Sequence, residues 1–180
     1  QMSAQHPYLS IVIPEFNEEE SIPPLIRQIR EVMSRMNVTY EVLFIDDGST
    51  DDSFQVLQQF HREDPQIHCI RFQKNCGKSA ALSAGFAACQ GAFIITMDAD
   101  MQDDPAEFPN LLNQMEQGYD LVSGWKKIRK DPVSKRLPSK IFNWVTALMT
   151  GIKIHDFNCG LKCYRKKVVD EIEVYGELHR

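Results

Sequence analysis

The sequence predicts an α/β domain with a mainly parallel central sheet and helices on both faces. Three observations predict it. Short apolar runs alternate with segments whose apolar residues recur at helical spacing, as in chains built from βαβ units. Acidic clusters follow three of the runs, at the strand ends where open α/β sheets bind ligands. The chain of 180 residues is long enough for one domain with one sizeable core.

The composition is ordinary for a globular protein, with 43% hydrophobic and 25% charged residues. The net charge of −5 indicates no general affinity for nucleic acid. Residues 126–140, however, hold seven Lys or Arg and one Asp, which predicts a local anionic partner. The five cysteines form no CxxC pair, which indicates reduced thiols in the cytosol. The sequence contains no run of 18 apolar residues, so it predicts no transmembrane helix.

Tyr8–Ile13 is a short apolar run that predicts the first strand, which Pro14 is expected to end. Apolar residues then recur at helical spacing from Ile22 onward. Ser21, just before them, is a favourable capping residue for that helix. Tyr40–Ile45 predicts the second strand, which runs directly into a pair of aspartates.

The second helix is predicted over Asp52–Arg62 and the third strand over Ile67–Phe72. The small residues of Ser79–Cys89 predict a third helix that approaches the sheet closely. The pair Gly77-Lys78 before it does not complete a phosphate-binding P-loop, because no glycine stands five positions upstream.

Ala92–Met97 predicts the fourth strand, which leads into another acidic cluster. Pro105–Gln117 predicts a fourth helix, for which Asp103 and Asp104 are the expected capping residues. Asp120–Gly124 predicts a fifth strand, so strands and helices alternate over the first 124 residues.

The chain changes character from Trp125, where a basic stretch broken by prolines leads to a predicted helix over Ser139–Thr150. The apolar face of that helix, widened by Trp144, belongs either to the core or to a membrane interface. Asp156 follows in a predicted loop, and Lys166–Val174 predicts a final amphipathic helix.

Two carboxylates stand at the end of the fourth predicted strand, where unpaired buried charge is costly. Asp98 and Asp100, with the side-chain carbonyl of Gln102 beside them, offer the oxygen ligands that suit Mg²⁺ or Mn²⁺. Such an ion would hold a diphosphate at this edge of the sheet. The alternative interpretation is a polar turn that starts the next helix.

Six segments in this order carry a resemblance to a known family. They are IVIPEFNEEE, IDDGSTDDS, KNCGKSAALSAGF, MDADMQDDP, RLPSKIFN and DFNCGLKCYRK. Together they resemble family 2 glycosyltransferases with the GT-A fold, a Rossmann-like α/β architecture. Within that family the chain looks like the polyprenyl-phosphate glycosyltransferases, the group of dolichyl-phosphate mannose synthases and their bacterial undecaprenyl-phosphate relatives. The resemblance covers nearly the whole chain.

The resemblance implies roles for residues at matching positions. The nucleotide-sugar-binding residues would be Pro14, Phe16, Glu18, Asp47, Asp98 and Lys126. The metal ligands would be Asp98, Asp100 and Gln102, and the acceptor-phosphate residues Lys135, Arg136 and Ser139. Asp100 and Asp156 would be the catalytic residues. The family often has Tyr where Phe16 stands, so packing on the base or ribose is expected there without a hydroxyl contact.

The implied reaction moves a hexose from a UDP- or GDP-linked sugar to a polyprenyl phosphate. It would use Mg²⁺ or Mn²⁺ and invert the anomeric carbon. The acceptor phosphate, with a second pKa of about 6, needs little help from a general base. Two other functions stay open, namely a soluble family 2 transferase with a saccharide acceptor and a non-catalytic nucleotide-sugar-binding domain. A HAD-type phosphatase is disfavoured, because its DxD motif usually follows the first strand.

Residues 1–7 are expected to be disordered or tag-derived and residues 8–180 to form one domain. Within it, residues 8–124 would be the nucleotide-sugar half and residues 125–180 an acceptor-side half that is cut short. The expected partners are a nucleotide sugar, a polyprenyl phosphate and a membrane surface, without nucleic acid, and an oligomer is compatible with the sequence. The full-length protein is expected at the cytoplasmic face of the inner (plasma) membrane, and this chain alone is expected to be soluble.

Overall fold

The structure, a computed structural model, describes residues 6–124 and 160–174, with only the backbone of residues 172–174. The strands are β1 (Leu9–Glu15), β2 (Tyr40–Asp46), β3 (Ile67–Arg71), β4 (Phe93–Thr96), β5 (Leu121–Ser123) and β6 (Lys162–Arg165). The helices are α1 (Ile22–Met36), α2 (Ser53–Glu63), α3 (Lys78–Ala88), α4 (Phe108–Glu116) and α5 (Lys166–Val174). A 3₁₀ turn, Pro105–Glu107, leads into α4.

The six strands form one sheet in the order β3-β2-β1-β4-β6-β5. Strands β1 to β4 run parallel to one another, and Glu15 lies opposite Asp46 at the carboxyl end of the β1–β2 pair. Strand β6 runs antiparallel to both β4 and β5. The mainly parallel α/β sheet predicted from the sequence is therefore confirmed.

Strand β6 is an element that the sequence pattern did not predict. It has four residues, two of them charged at its ends, and only Cys163 is buried. Its place between β4 and β5 comes from its neighbours, as in the bond from the Arg165 N–H to the Asp120 carbonyl (3.1 Å). A four-residue strand with one buried position carries too little alternation to be seen without its partners.

Strand β1 continues through Pro14 to Glu15, so the prediction that Pro14 ends it is wrong. Backbone groups point to alternate sides along a strand. The Val12 carbonyl accepts the N–H of Met97 (3.2 Å) on the β4 side, and the Glu15 carbonyl accepts that of Asp47 (2.9 Å) on the β2 side. The N–H that proline lacks thus falls on the β4 side, beyond the last paired residue of β4, where no ladder bond is lost.

Helices cover both faces of the sheet, as predicted. One face packs side chains such as Ile11 and Phe44 against α1, α2 and α4. The other packs Val12 and Ile45 against α3 and α5. On this second face α3 lies so close to β1 that a Cβ added to Gly85 would come within 2.3 Å of Val12 Cγ1. The small residues of α3 therefore permit the close approach that the sequence predicted.

Helix α1 begins at Ile22 as predicted, but the Ser21 side chain does not cap it, which corrects that expectation. Its hydroxyl donates instead to the backbone carbonyl and to the carboxylate of Glu18. In the described part of the chain no helix is both long and apolar enough to cross a membrane. The helix predicted over Ser139–Thr150 lies outside the described residues, as do residues 1–5.

Candidate active site

The carboxyl ends of β1, β2 and β4 meet at one edge of the sheet and border a cleft of about 340 Å³. Parallel strands deliver the loops that follow them to the same edge, which is why acidic clusters far apart in sequence converge there. Six of the residues predicted for the donor and metal sites line this cleft. They are Pro14, Phe16, Glu18, Asp47, Asp98 and Asp100.

The loop after β1 presents Phe16 and Glu18 to the cleft. Asn17 between them adopts a positive φ of 57°, and its N–H donates to Ser49 Oγ (2.9 Å). Its side-chain Oδ1 accepts the N–H of Thr50 (2.8 Å), so the loops after β1 and β2 are tied together. Phe16 is 42% exposed, so a large aromatic side chain is accessible at the cleft.

Asp47, the residue after β2, holds the loop that precedes α3. Its Oδ1 accepts the N–H of Cys76 (2.7 Å), and its Oδ2 accepts the N–H of Gly77 (2.9 Å). Gly77 has a φ of 92°, a conformation that glycine adopts readily. Asp47 is 5% exposed and lines the cleft, so its carboxylate shapes the wall of the cleft from within.

The turn that carries Asp98 is braced by Asp103. Asp103 Oδ2 accepts the N–H of Asp98 (3.0 Å), and Asp103 is 4% exposed. The expectation that Asp103 caps the next helix is therefore wrong, whereas Asp104 does cap it by accepting the N–H of Ala106 (2.9 Å). Gly160 packs against the same turn, where an added Cβ would lie 2.6 Å from Asp98 Oδ2.

Asp100 lies at the exposed tip of the turn. Its Oδ1 accepts the N–H of Gln102 (3.1 Å), and Met101 between them has a φ of 62°. Gln102 is exposed and lies outside the set of residues that line the cleft. The structure thus brings Asp98 and Asp100 to the cleft but does not bring the side chain of Gln102 there.

A divalent ion would find two carboxylates at this turn. Within residues 6–124 and 160–174, no three His, Cys, Asp or Glu side chains converge on a point that could hold a metal. Mg²⁺ in phosphate-transferring sites is commonly held by one or two carboxylates together with substrate phosphates and waters. Asp98 and Asp100 fit an ion of that kind, whose coordination the diphosphate of a ligand would complete.

Glu15, which lines the cleft, and Asp46 behind it form a buried carboxylate pair, and they are 4% and 0% exposed. Glu15 Oε2 accepts the Ser49 hydroxyl (3.2 Å), whereas Oε1 has no hydrogen-bond partner among the described residues. Asp46 Oδ1 accepts the Ser49 N–H (2.7 Å), and Oδ2 lies 3.3 Å from Nε of Arg71. Burial, followed by the negative charge of Asp46, raises the pKa of Glu15 to about 8.

Sequence reasoning missed Lys78, whose Nζ lies 2.5 Å from Asp98 Oδ1. The signal was the pair Gly77-Lys78, which fails the P-loop pattern and yet puts a lysine at the start of the helix after β3, on the ligand-binding edge. Glu15 was also missed, although it stands between two predicted residues and lines the cleft with them.

The predicted acceptor-side residues lie outside the described part of the chain. They are Lys126, Lys135, Arg136, Ser139 and Asp156. Their roles stay predictions.

Comparison with known protein families matches residues 10–173 to the family described as glycosyl transferase family 2. The sequence is 37% identical to a dodecaprenyl-phosphate galacturonate synthase from Rhizobium johnstonii over 96% of this chain and 52% of that protein. It is 40% identical to an undecaprenyl-phosphate 4-deoxy-4-formamido-L-arabinose transferase from Pseudomonas syringae pv. syringae, over 91% of this chain and 49% of that protein. The chain spans about half the length of the curated relatives it matches.

Solved structures share the fold at low sequence identity. Glucosyl-3-phosphoglycerate synthase from Mycobacterium tuberculosis, in complex with Mn²⁺, UDP-glucose and phosphoglyceric acid, superposes with a TM-score of 0.70 at 20% identity, over 90% of this chain and 57% of that one. A mannosyltransferase from Pyrobaculum calidifontis, in complex with GDP-mannose and Mn²⁺, superposes with a TM-score of 0.64 at 18% sequence identity. The match covers 94% of this chain and 47% of that one. The predicted GT-A fold is therefore confirmed.

Proposed function

Because the chain belongs to glycosyl transferase family 2, we propose that it moves a hexose from a nucleotide-diphosphate sugar to a polyprenyl phosphate. One observation carries the proposal: residues from three separate strand ends, predicted for the donor site, line a single cleft. The curated relatives, named as polyprenyl-phosphate synthases and transferases, support the choice of acceptor.

The donor would bind with its nucleotide against the loops after β1 and β2. The exposed ring of Phe16 would pack on the base or ribose. Asp47 still has lone pairs to offer a base after accepting two backbone N–H groups, since each carboxylate oxygen has two. Pro14 and Glu18 would complete the wall. Either UDP or GDP would suit this wall.

Asp98 and Asp100 would hold the divalent ion, Mg²⁺ or Mn²⁺. Structural relatives contain Mn²⁺ together with UDP-glucose or GDP-mannose, which supports an ion at this position. When bound, the ion would offset the negative charge that develops on the leaving diphosphate. Asp103 fixes the backbone of this turn, so the carboxylates are positioned before the donor arrives.

The acceptor side of the proposal rests on the family resemblance. Lys126 would contact the donor, and Lys135, Arg136 and Ser139 would hold the acceptor phosphate. Asp156 would orient the acceptor or the sugar. Direct attack by the phosphate oxygen would invert the anomeric carbon. Because the acceptor is a lipid, we propose that the whole protein works at the cytoplasmic face of a membrane.

A thermal-shift panel tests the donor site, with UDP, GDP, UDP-glucose, UDP-N-acetylglucosamine and GDP-mannose, each with and without Mn²⁺. We expect a metal-dependent rise for one base. Ligand at about 100 times its Kd adds about 2.7 kcal/mol, which is roughly 5–10 °C for a domain of this size. The rise should be lost in Asp100→Asn and kept in Asp104→Asn, because Asn caps helices as well as Asp does.

The transfer step is tested by incubating this chain with the nucleotide sugar that binds, Mn²⁺ and either a polyprenyl phosphate or a soluble saccharide. We expect a glycosylated lipid that is not formed by Asp100→Asn. A glycosylated saccharide instead would replace the proposed acceptor. Absence of binding by every nucleotide in the panel would contradict the donor site itself.

A further inference from the structure

The charge of the cleft is strongly unbalanced. Besides Glu15, whose raised pKa favours its neutral form, four acidic residues line it, and Lys78 is the one basic residue among the described residues that do so. A nucleoside diphosphate is itself an anion, and the carboxylates that line the cleft would repel it. A cleft of this composition can accept a diphosphate only if cations are supplied where the phosphates lie.

Lys78 is poised at that place. Its ammonium contacts Asp98 Oδ1 at 2.5 Å, and the two side chains are 55% and 28% exposed. The pair thus lies on the open wall of the cleft rather than in the core. Exposed ion pairs of this kind are worth little free energy, so the ammonium can leave Asp98 easily.

The backbone beneath Lys78 is fixed, whereas its side chain is long. The two residues before it, Cys76 and Gly77, donate their N–H groups to Asp47, which anchors the start of α3 at the end of β2. From this anchor the flexible four-carbon stem of lysine reaches the turn after β4. Lys78, Asp98 and Pro14 also line a neighbouring cavity of about 510 Å³, so the ammonium stands where two cavities meet.

We propose that Lys78 is the resident counter-ion of Asp98 in the nucleotide-free protein, and that it moves to the donor diphosphate when a divalent ion takes its place on Asp98. The ammonium occupies Oδ1 of Asp98, and an ion bound at that oxygen would repel it, so the two compete. The displaced ammonium then supplies the second positive charge that the diphosphate needs. The identity of the diphosphate rests on the proposed function.

The test compares the whole chain with Lys78→Met, Lys78→Arg and the control Lys74→Met, which changes an exposed lysine of the loop before α3. Mn²⁺ binding is measured without nucleotide by calorimetry or electron paramagnetic resonance. Lys78→Met should bind Mn²⁺ about two- to fivefold more tightly, as expected for release of an exposed ion pair.

Binding of UDP and GDP is then measured at saturating Mn²⁺. Lys78→Met should lower the affinity for whichever nucleotide binds by about tenfold or more, since a hydrogen bond to a charged group is lost. Lys78→Arg keeps the charge and should stay close to wild type in both assays. Lys74→Met should change neither affinity.

Opposite changes in the two affinities support the inference, because general damage to the cleft would weaken both. A Mn²⁺ affinity that is unchanged or lower in Lys78→Met would overturn it. A higher Mn²⁺ affinity in a protein that binds no nucleoside diphosphate would keep the exchange at Asp98 and would instead overturn the proposed function and the transfer to diphosphate.

Discussion

Two carboxylates at the carboxyl edge of the sheet hold backbone N–H groups in place. Asp47 accepts two N–H groups from the loop before α3, and Asp103 accepts the N–H of Asp98. Each of these bonds fixes the position of a side chain that faces the cleft. The positions of Lys78 and Asp98 therefore depend on Asp47 and Asp103, which bind backbone N–H groups of the protein itself.

Glu15 should make the stability of the protein pH-dependent. Its pKa is about 8 in the folded state and would be near the ordinary value of 4.5 in the unfolded chain. The folded state keeps the proton that the unfolded state releases, so the stability that Glu15 contributes is lost as pH rises from about 4.5 through about 8. Glu15→Gln, which mimics the protonated form, should gain in Tm relative to wild type across this range.

Thermal unfolding at several pH values between 5 and 9 measures this difference. The control is Glu20→Gln, which changes an exposed glutamate of the same acidic loop. The Tm of this control should differ from wild type by the same small amount at every pH. A constant difference for Glu15→Gln would show that Glu15 is ionised throughout.

At the scale of elements, α3 joins the fold to the cleft. Its small side chains let it pack against β1 and β2, and its first residue is Lys78. Because the helix is held close to the sheet, its amino-terminal turn stays beside the carboxyl ends of the strands. Close packing of α3 is therefore a condition for the geometry of the cleft.

Gly85→Ala should destabilise the protein by about 1–3 kcal/mol, the usual effect of overpacking a core. The added Cβ would lie 2.3 Å from Val12 Cγ1, so either the helix or the side chain must shift. Denaturant unfolding measures the change. The exposed Ser83→Ala in the same helix should stay within about 0.5 kcal/mol of wild type. Val12→Ala should relieve part of the loss when combined with Gly85→Ala, and simple additivity of the two would contradict the contact.

Elements with strong periodicity were predictable from sequence, and α5 has its predicted bounds, Lys166–Val174. The position of the cleft was also predictable, because the acidic residues follow parallel strands whose carboxyl ends meet at one edge of the sheet. The sequence could not predict β6, whose four residues become a strand only between β4 and β5. Nor could it predict the pairing of Lys78 with Asp98, 20 residues apart, because that contact depends on where α3 sits on the sheet.

At the scale of the whole molecule, acidic and basic residues are concentrated in different parts of the sequence. The cleft is lined by five carboxylate residues, while residues 126–140 hold seven basic residues and one acid. The anionic donor would enter an acidic cleft with the help of cations, whereas an anionic lipid surface would be attracted to the basic stretch. This division predicts that the two substrates approach different parts of the protein.

The chain should therefore co-sediment with vesicles that contain anionic lipid, at low salt and much less at high salt. Lys135→Glu combined with Arg136→Glu should weaken this binding by about 2 kcal/mol or more, since each basic residue near a membrane contributes about 1 kcal/mol. Arg27→Glu with Arg62→Glu makes the same charge change at exposed positions of α1 and α2 and should have a smaller effect. No binding to anionic vesicles at low salt would refute the membrane part of the proposal.

The pairing of β5 with β6 bears on how such a protein can diversify. The Gly124 N–H donates to the Leu161 carbonyl (2.9 Å), so the chain departs and returns at two points that are already bonded to each other. Substitutions in residues 125–159 that leave this bond and the contact of Gly160 with the Asp98 turn intact would therefore leave the described cleft in place.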